Sequence, residues 1–149
     1  MPSDKALLYT DGASKGNPGP AGAGFAIADA QGNLLVQRAI PLGVTTVGVA
    51  EYKALIAGLS EASSMGIQDI HVFTDSQFMA RQMQGTYKVR TPAIRPLYEW
   101  ANKLRAKFTT FKIEHVPRER NSLADGLASE GARLSATGPQ ADDGLRSKP

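Results

Sequence analysis

The sequence predicts an α/β domain in which helices pack on a mixed β-sheet. Two observations carry the prediction. Five short runs with apolar centres read as strands, and segments of helical periodicity separate the later ones. The order is βββαβααβα, so three strands come first and the helices must fold back onto a sheet of mixed direction.

Residues 5–11, Lys-Ala-Leu-Leu-Tyr-Thr-Asp, have an apolar centre and read as a buried strand. The stretch Gly12–Gly24 is dense in glycine and proline and reads as a loop. It lacks the Gly-Lys-Ser/Thr ending of a P-loop, so its glycines are expected to let backbone come close to a substrate. Residues 23–29 and 34–41 form the next two strands, joined as a hairpin through Gln31-Gly32-Asn33. Over 49–65, Tyr52, Leu55, Ile56 and Leu59 follow the i, i+3, i+4, i+7 rule of an amphipathic helix, which Gly66 ends. A fourth strand covers 69–75, and a short helix at about 76–84 stops at Gly85. Thr91-Pro92 opens another helix, with Leu97, Trp100, Ala101, Leu104 and Phe108 on one face. Residues 110–116 are the fifth strand, and Asn121-Ser122 caps a last helix to about Leu134. The stretch from Ser135 to Pro149 is small, polar and broken by Gly138, Pro139 and Gly144, and it reads as a disordered tail behind one domain of residues 1–134.

A chain of 149 residues with 42% hydrophobic and 21% charged side chains suits one globular domain and is too apolar for a disordered one. With no cysteine, disulfides, a thiol nucleophile and thiolate zinc sites are excluded; with only His71 and His115, so is a histidine-rich metal site. No apolar run reaches the length of a membrane span, and the first residues lack the pattern of a signal peptide, so a cytoplasmic location is expected. The net charge of +3 is unevenly placed. Residues 81–120 hold ten of the seventeen basic side chains and three of the fourteen acids. Such a basic third suits a polyanion, and equally a solvated helix face.

The first and fourth strands end alike, Leu8-Tyr9-Thr10-Asp11-Gly12 and Val72-Phe73-Thr74-Asp75-Ser76. Each sets an aspartate at the carboxyl end of an apolar strand, where open α/β sheets bind ligands. Parallel neighbours would lie about 5 Å apart, and two carboxylates so close need a proton or a cation between them. Asp75 before a helix also reads as a plain N-cap. Glu51 lies in line with Leu55 and Leu59, so it extends the stripe that must face the sheet, and no lysine or arginine serves that stripe. Asp125 sits in the first turns of the last helix, where the helix dipole alone would favour it. Four acids at element ends or core edges suit hard divalent ions. Two such ions clamp the oxygens of a phosphoryl displacement, so the residues point to a metal-dependent enzyme acting on phosphodiesters.

Tyr9-Thr-Asp-Gly-Ala-Ser-Lys-Gly-Asn-Pro-Gly-Pro20 resembles the opening motif of the type 1 ribonucleases H. Ala50-Glu51-Tyr52 with Ala54-Leu55, Thr74-Asp75-Ser76-Gln77, and Asn121 with Ala124-Asp125 are similar to the remaining motifs, in order and spacing, over about residues 5–134. The resemblance implies a ribonuclease H-like fold with strand order 3-2-1-4-5, and endonucleolytic cleavage of the RNA strand of RNA–DNA hybrids by a monomer without an obligate protein partner. It implies two Mg2+ ions, replaceable by Mn2+, held by Asp11, Glu51, Asp75 and Asp125. Water on one ion attacks phosphorus while the other stabilises the departing oxygen. Asn17 and Thr46 match positions that hold the substrate backbone, and Gln77 one near the bases.

The departures from the family pattern are specific. The stretch Glu114-His-Val-Pro-Arg-Glu-Arg-Asn121 is short and has no histidine in its loop, as in a subgroup where an arginine takes the place of a catalytic histidine; Arg118 is the candidate. His115 falls within the fifth strand and is read as structural. No basic protrusion is present: Gly85–Thr91 alone joins two helices, with Lys88 and Arg90 as a remnant or as solvated charges. Two asparagines common in the family before the glutamate motif match Val47 and Gly48 here. Trp100 and Tyr98 are candidate base-stacking platforms, but Trp100 on the apolar helix face is expected in the core. Two other functions remain open on the same fold: a weakly catalytic hybrid-binding module, and a metal nuclease for duplex RNA or junction DNA.

Overall fold

A computed structural model describes residues 4–137. Five strands form one sheet: β1 (Lys5–Ser14), β2 (Gly19–Asp29), β3 (Leu34–Thr45), β4 (Asp69–Thr74) and β5 (Thr110–His115). Their order is β3-β2-β1-β4-β5, the order the resemblance implied. The first three strands pair antiparallel, and β4 and β5 join parallel. The helices are α1 (Val47–Ser64), α2 (Gln77–Gln84), α3 (Arg95–Arg105) and α4 (Ser122–Thr137), with a 3-10 turn at Arg118–Arg120.

Local chemistry sets most boundaries. Asp29 accepts from the backbone N–H of Gln31 and Asn33, and Gly32 takes a φ of 89°, which closes the β2–β3 hairpin. Thr46 caps α1 by accepting from Val49 N, and Ser76 caps α2 by accepting from Met79 N. Gly85 ends α2 in the left-handed conformation, φ 86°.

The expected Gly12–Gly24 loop is mostly strand. β1 runs on to Ser14 and β2 begins at Gly19, leaving a tight connection around Lys15–Pro18. Its glycines serve packing between sheet and helices. A Cβ on Gly12 would lie 2.4 Å from Glu51 N on α1. One on Gly22 would lie 2.2 Å from Ala132 N, and one on Gly24 would lie 2.4 Å from Ala128 N, both on α4. Gly12 pairs with Ala23, the residue between those two, so α1 and α4 cover opposite faces of the sheet. Between the sheet and α1 sits the main core, with Leu8, Phe25, Ile27, Ile70 and Val72 against Tyr52, Leu55 and Leu59.

Three further expectations need correction. The helix expected from Thr91-Pro92 starts at Arg95, because the preceding residues form a turn and only Pro96 falls in the first helical turn. Trp100 is not in the core: it is 55% exposed, while Ala101 and Leu104 are the residues α3 buries. Trp100 stands at the margin of the apolar stripe, and its side chain turns to solvent. The last helix does not end at Leu134 but continues to Thr137. Ser135, expected in the tail, is buried: its hydroxyl donates to Ala21 O at 2.6 Å and accepts from Leu42 N and Gly43 N at 3.0 Å. The rest of the expected tail, 138–149, lies outside the described residues. Among the described residues no helix is long and apolar enough to cross a membrane.

Candidate active site

The carboxyl end of β1 and β4 is where the acids meet. The parallel register pairs Thr10 with Thr74, which puts Asp11 and Asp75 side by side at the sheet's centre. Glu51 arrives from the first turns of α1. It can do so because Gly12 has no side chain, so the helix backbone rests directly on β1. Asp11, Glu51 and Asp75 each offer a carboxylate oxygen within 4.8 Å of the others. Asp125, in the first turn of α4, stands outside that group of three but near enough to act on the Asp11 carboxyl.

These acids are placed against their own charge. Asp11 is 3% exposed and Glu51 8%. Burial, then the Asp75 charge, then hydrogen bonds shared with Asp125 and Asp75 push the Asp11 carboxyl up to about 8. Burial first, then the charges of Asp11 and Asp75, raise Glu51 well above the ordinary carboxylate range. Asp11 accepts a bond from Gly12 N at 2.9 Å, but Oε1 of Glu51 is buried with no hydrogen-bond partner. A buried carboxylate oxygen without a donor is costly unless a cation faces it. The donor set, all hard oxygens, fits a divalent ion such as Mg2+.

Two residues tie the cluster to its surroundings. Arg118 Nε lies 3.7 Å from Asp75 and 4.0 Å from Asp125, with 74% of its side chain exposed. The sequence marks Asn121 as a helix cap and a motif residue, but not as a link to β1. Fully enclosed, it donates from Nδ2 to Thr10 O at 2.9 Å, while its own carbonyl accepts from Asp125 N at 3.0 Å. It thereby links the backbones that carry Asp11 and Asp125. An asparagine four positions before an acid at a helix start was the available signal.

The remaining candidates lie around this edge. Asn17 Oδ1 accepts from Val47 N at 3.0 Å, which joins the β1–β2 connection to the start of α1, where Thr46 is the cap. Gln77 is exposed at the start of α2, and His115 is exposed at the end of β5. Beside Glu51 opens a groove of about 790 Å3, lined by Gly48, Tyr52, Phe78 and Tyr87 among others, with Lys88 and Arg90 along its wall. Phe78 is 71% exposed, and its ring lies 5.7 Å from that of Tyr87. The sequence reading passed over both aromatics; an exposed Phe opening a strongly amphipathic helix was the signal.

A five-stranded sheet of this order, with acids converging at the ends of its two central strands, defines the ribonuclease H-like class. The chain belongs to the family described as Reverse transcriptase-like, whose profile matches residues 9–131. It is 39% identical over 139 residues to the Bifunctional protein Rv2228c of Mycobacterium tuberculosis, covering 93% of this chain and 38% of that one. The chain thus spans well under half the length of that relative. It is also 39% identical over 122 residues to the Ribonuclease HI of Halobacterium salinarum, covering 82% of this chain and 61% of that one. Among solved structures, LC11-RNase H1 in complex with RNA/DNA hybrid superposes with a TM-score of 0.83 at 36% identity, covering 88% of this chain and 99% of that one.

Proposed function

We propose that this protein is an endonuclease that cuts the RNA strand of RNA–DNA hybrids with the help of divalent ions, Mg2+ first among them and Mn2+ able to replace it. The observation that carries the reading is the buried trio Asp11, Glu51 and Asp75 with the unpartnered Glu51 oxygen, a site at which charge must be supplied from outside. The kinship to ribonucleases H supports the hybrid as substrate.

In this reading Asp11, Glu51, Asp75 and Asp125 hold the ions, which when bound supply an activated water and stabilise the departing oxygen. Gly12 and Asn121 fix the acids in place, through the α1 contact and the β1–α4 link. Arg118 brings an exposed positive charge to the same edge, where it can meet the reacting phosphate or assist its release. Asn17 and Thr46 offer polar groups to the backbone of the strand being cut, Gln77 reaches toward the bases, and the Phe78–Tyr87 groove gives the other strand an apolar and basic wall. All four acids come from one chain, so the chemistry needs no second subunit. The location proposed is cytoplasmic.

The test is to incubate the protein with end-labelled hybrid, duplex RNA and duplex DNA, with Mg2+ and with chelator. Internal cuts confined to the RNA of the hybrid, and abolished by chelator, are expected. An uncut hybrid would overturn the reading, and preferential cleavage of duplex RNA would replace its substrate.

A further inference from the structure

Trp100 is the one tryptophan of the chain, and it stands in solvent on α3. Nothing in the site described above uses it. Seen down the helix, at about 100° per residue, Lys103 falls about 60° from Trp100, on the side away from the buried Ala101 and Leu104. Lys107 lies just beyond the helix, where its N–H donates to Leu104 O at 3.0 Å in a tighter, 3-10 turn. Both lysines are exposed, and among the described residues neither is in an ion pair. The acid beside the indole, Glu99, lies 3.9 Å from the Arg95 guanidinium, which shares its charge. The outer face of α3 therefore offers a bare aromatic plate followed by two uncommitted cations.

A buried indole would have served the core; an exposed one leaves an apolar plate in water. Protein surfaces that receive a single strand combine such plates with cations, because each base has a π-face and each nucleotide brings a phosphate. We infer that Trp100, Lys103 and Lys107 form an accessory site for single-stranded nucleic acid, the indole stacking on an unpaired base and the lysines pairing with the phosphates that flank it. The inference rests on the reading of the protein as an enzyme of nucleic acids, and it adds a contact outside the acid cluster. Its occupant is the unpaired extension of a hybrid whose duplex lies at the active site. On helix geometry Lys103 sits about 4.5 Å along the axis from Trp100, and Lys107 follows in the next, tighter turn, so the two cations succeed the indole in one direction as phosphates do along a strand.

The sole tryptophan makes the site directly readable. In chelator, where no cleavage is expected, indole emission and its quenching by iodide are followed while labelled oligothymidylate is added, with anisotropy of the label reporting total binding. Binding should change the emission and shield the indole from iodide. Trp100→Ala should weaken oligothymidylate binding by about 5- to 150-fold, the range for loss of one stacked base. The double change Lys103→Gln, Lys107→Gln should lower the slope of log affinity against log salt by about 1.4, the value for two phosphates of a single strand. A hybrid with an unpaired extension should shield the indole, and a blunt hybrid should not. Saturation by anisotropy with unchanged emission and iodide access would overturn the inference, as would absence of oligothymidylate binding; either result would leave the indole to a protein partner. Equal shielding by blunt hybrid would also overturn it, since the contact would then be to duplex. Failure to cut hybrid in the cleavage assay sinks the proposed function by a separate measurement, so the two failures are distinguishable.

Discussion

Replacing Asp11 by asparagine should stabilise the metal-free protein, and the gain should grow with pH. Folding raises the Asp11 carboxyl from 3.8 to about 8. Between those values the native state holds a proton that the unfolded chain has lost, so unfolding releases it and stability falls as pH rises through this window. Above about pH 8 both states are ionised and the slope vanishes. Four units at 1.36 kcal/mol each set an upper limit of about 5–6 kcal/mol. Asparagine keeps an oxygen for the Gly12 N–H but still loses hydration on burial, so roughly half of that limit, about 2–3 kcal/mol, is the expected gain. For a domain of this size each kcal/mol moves Tm by about 2–4 °C. Thermal unfolding in chelator should therefore show Asp11→Asn melting about 4–12 °C higher than the parent near pH 8, and nearly level with it near pH 4. Added Mg2+ should raise the parent's Tm and narrow the gap, while hybrid cleavage by the variant is lost. Parallel pH profiles for the two proteins, or a variant that melts lower near pH 8, would refute the idea that burial and the neighbouring acids raise the Asp11 carboxyl in the fold.

Arg118→Ala should lower kcat by about 10-fold, close to 1.4 kcal/mol of barrier, with little change in KM on hybrid; a change in KM alone would make Arg118 a plain phosphate contact. The double change Val47→Asn, Gly48→Asn should lower KM on hybrid, each new bond giving about 2- to 12-fold, and leave kcat nearly unaltered. A Cβ at Gly48 would meet only Ile94 Cδ1, at 3.4 Å, so a melting curve should show no strain. Asn121→Ala should cost about 1–3 kcal/mol by leaving the Thr10 carbonyl without its donor, and should reduce kcat as well, measured by urea unfolding and cleavage side by side. Ser135→Ala strips a shared hydroxyl from Ala21, Leu42 and Gly43 and should destabilise by a similar amount without touching KM.

The acid cluster was legible because each member violates a local rule. Glu51 continues an apolar stripe, and Asp11 and Asp75 close apolar strands, so their chemistry stands out from their neighbours. The hairpin and the helix caps were legible for a similar reason, since Gly32, Gly66 and Gly85 mark turns by their left-handed backbone. The Gly12–Gly24 stretch misled because glycine can mean a bend or a close approach, and only the partners, α1 and α4, distinguish them. Trp100 misled because it lies at the edge of its helix's apolar arc, where periodicity does not decide which way a large ring turns. Ser135 was hidden altogether. A lone serine after a helix looks like tail, and its partners lie more than ninety positions earlier in the chain.

The tie between Asn121 and Thr10 joins positions 111 residues apart, and that of Ser135 with Ala21 joins positions 114 apart. Asp125 rides on the element these ties secure, the last of those described. During synthesis the first three strands and α1 can gather Asp11 and Glu51 early, since all of them lie within the first 64 residues. The fourth acid joins only after α4 has emerged and docked across the glycines of β2. A nascent chain therefore carries an incomplete set of acids until nearly the whole domain is made. Any defect that loosens α4 from the sheet should silence the site before it unfolds the fold, so loss of cleavage would be an early reporter of damage on the far side of the sheet.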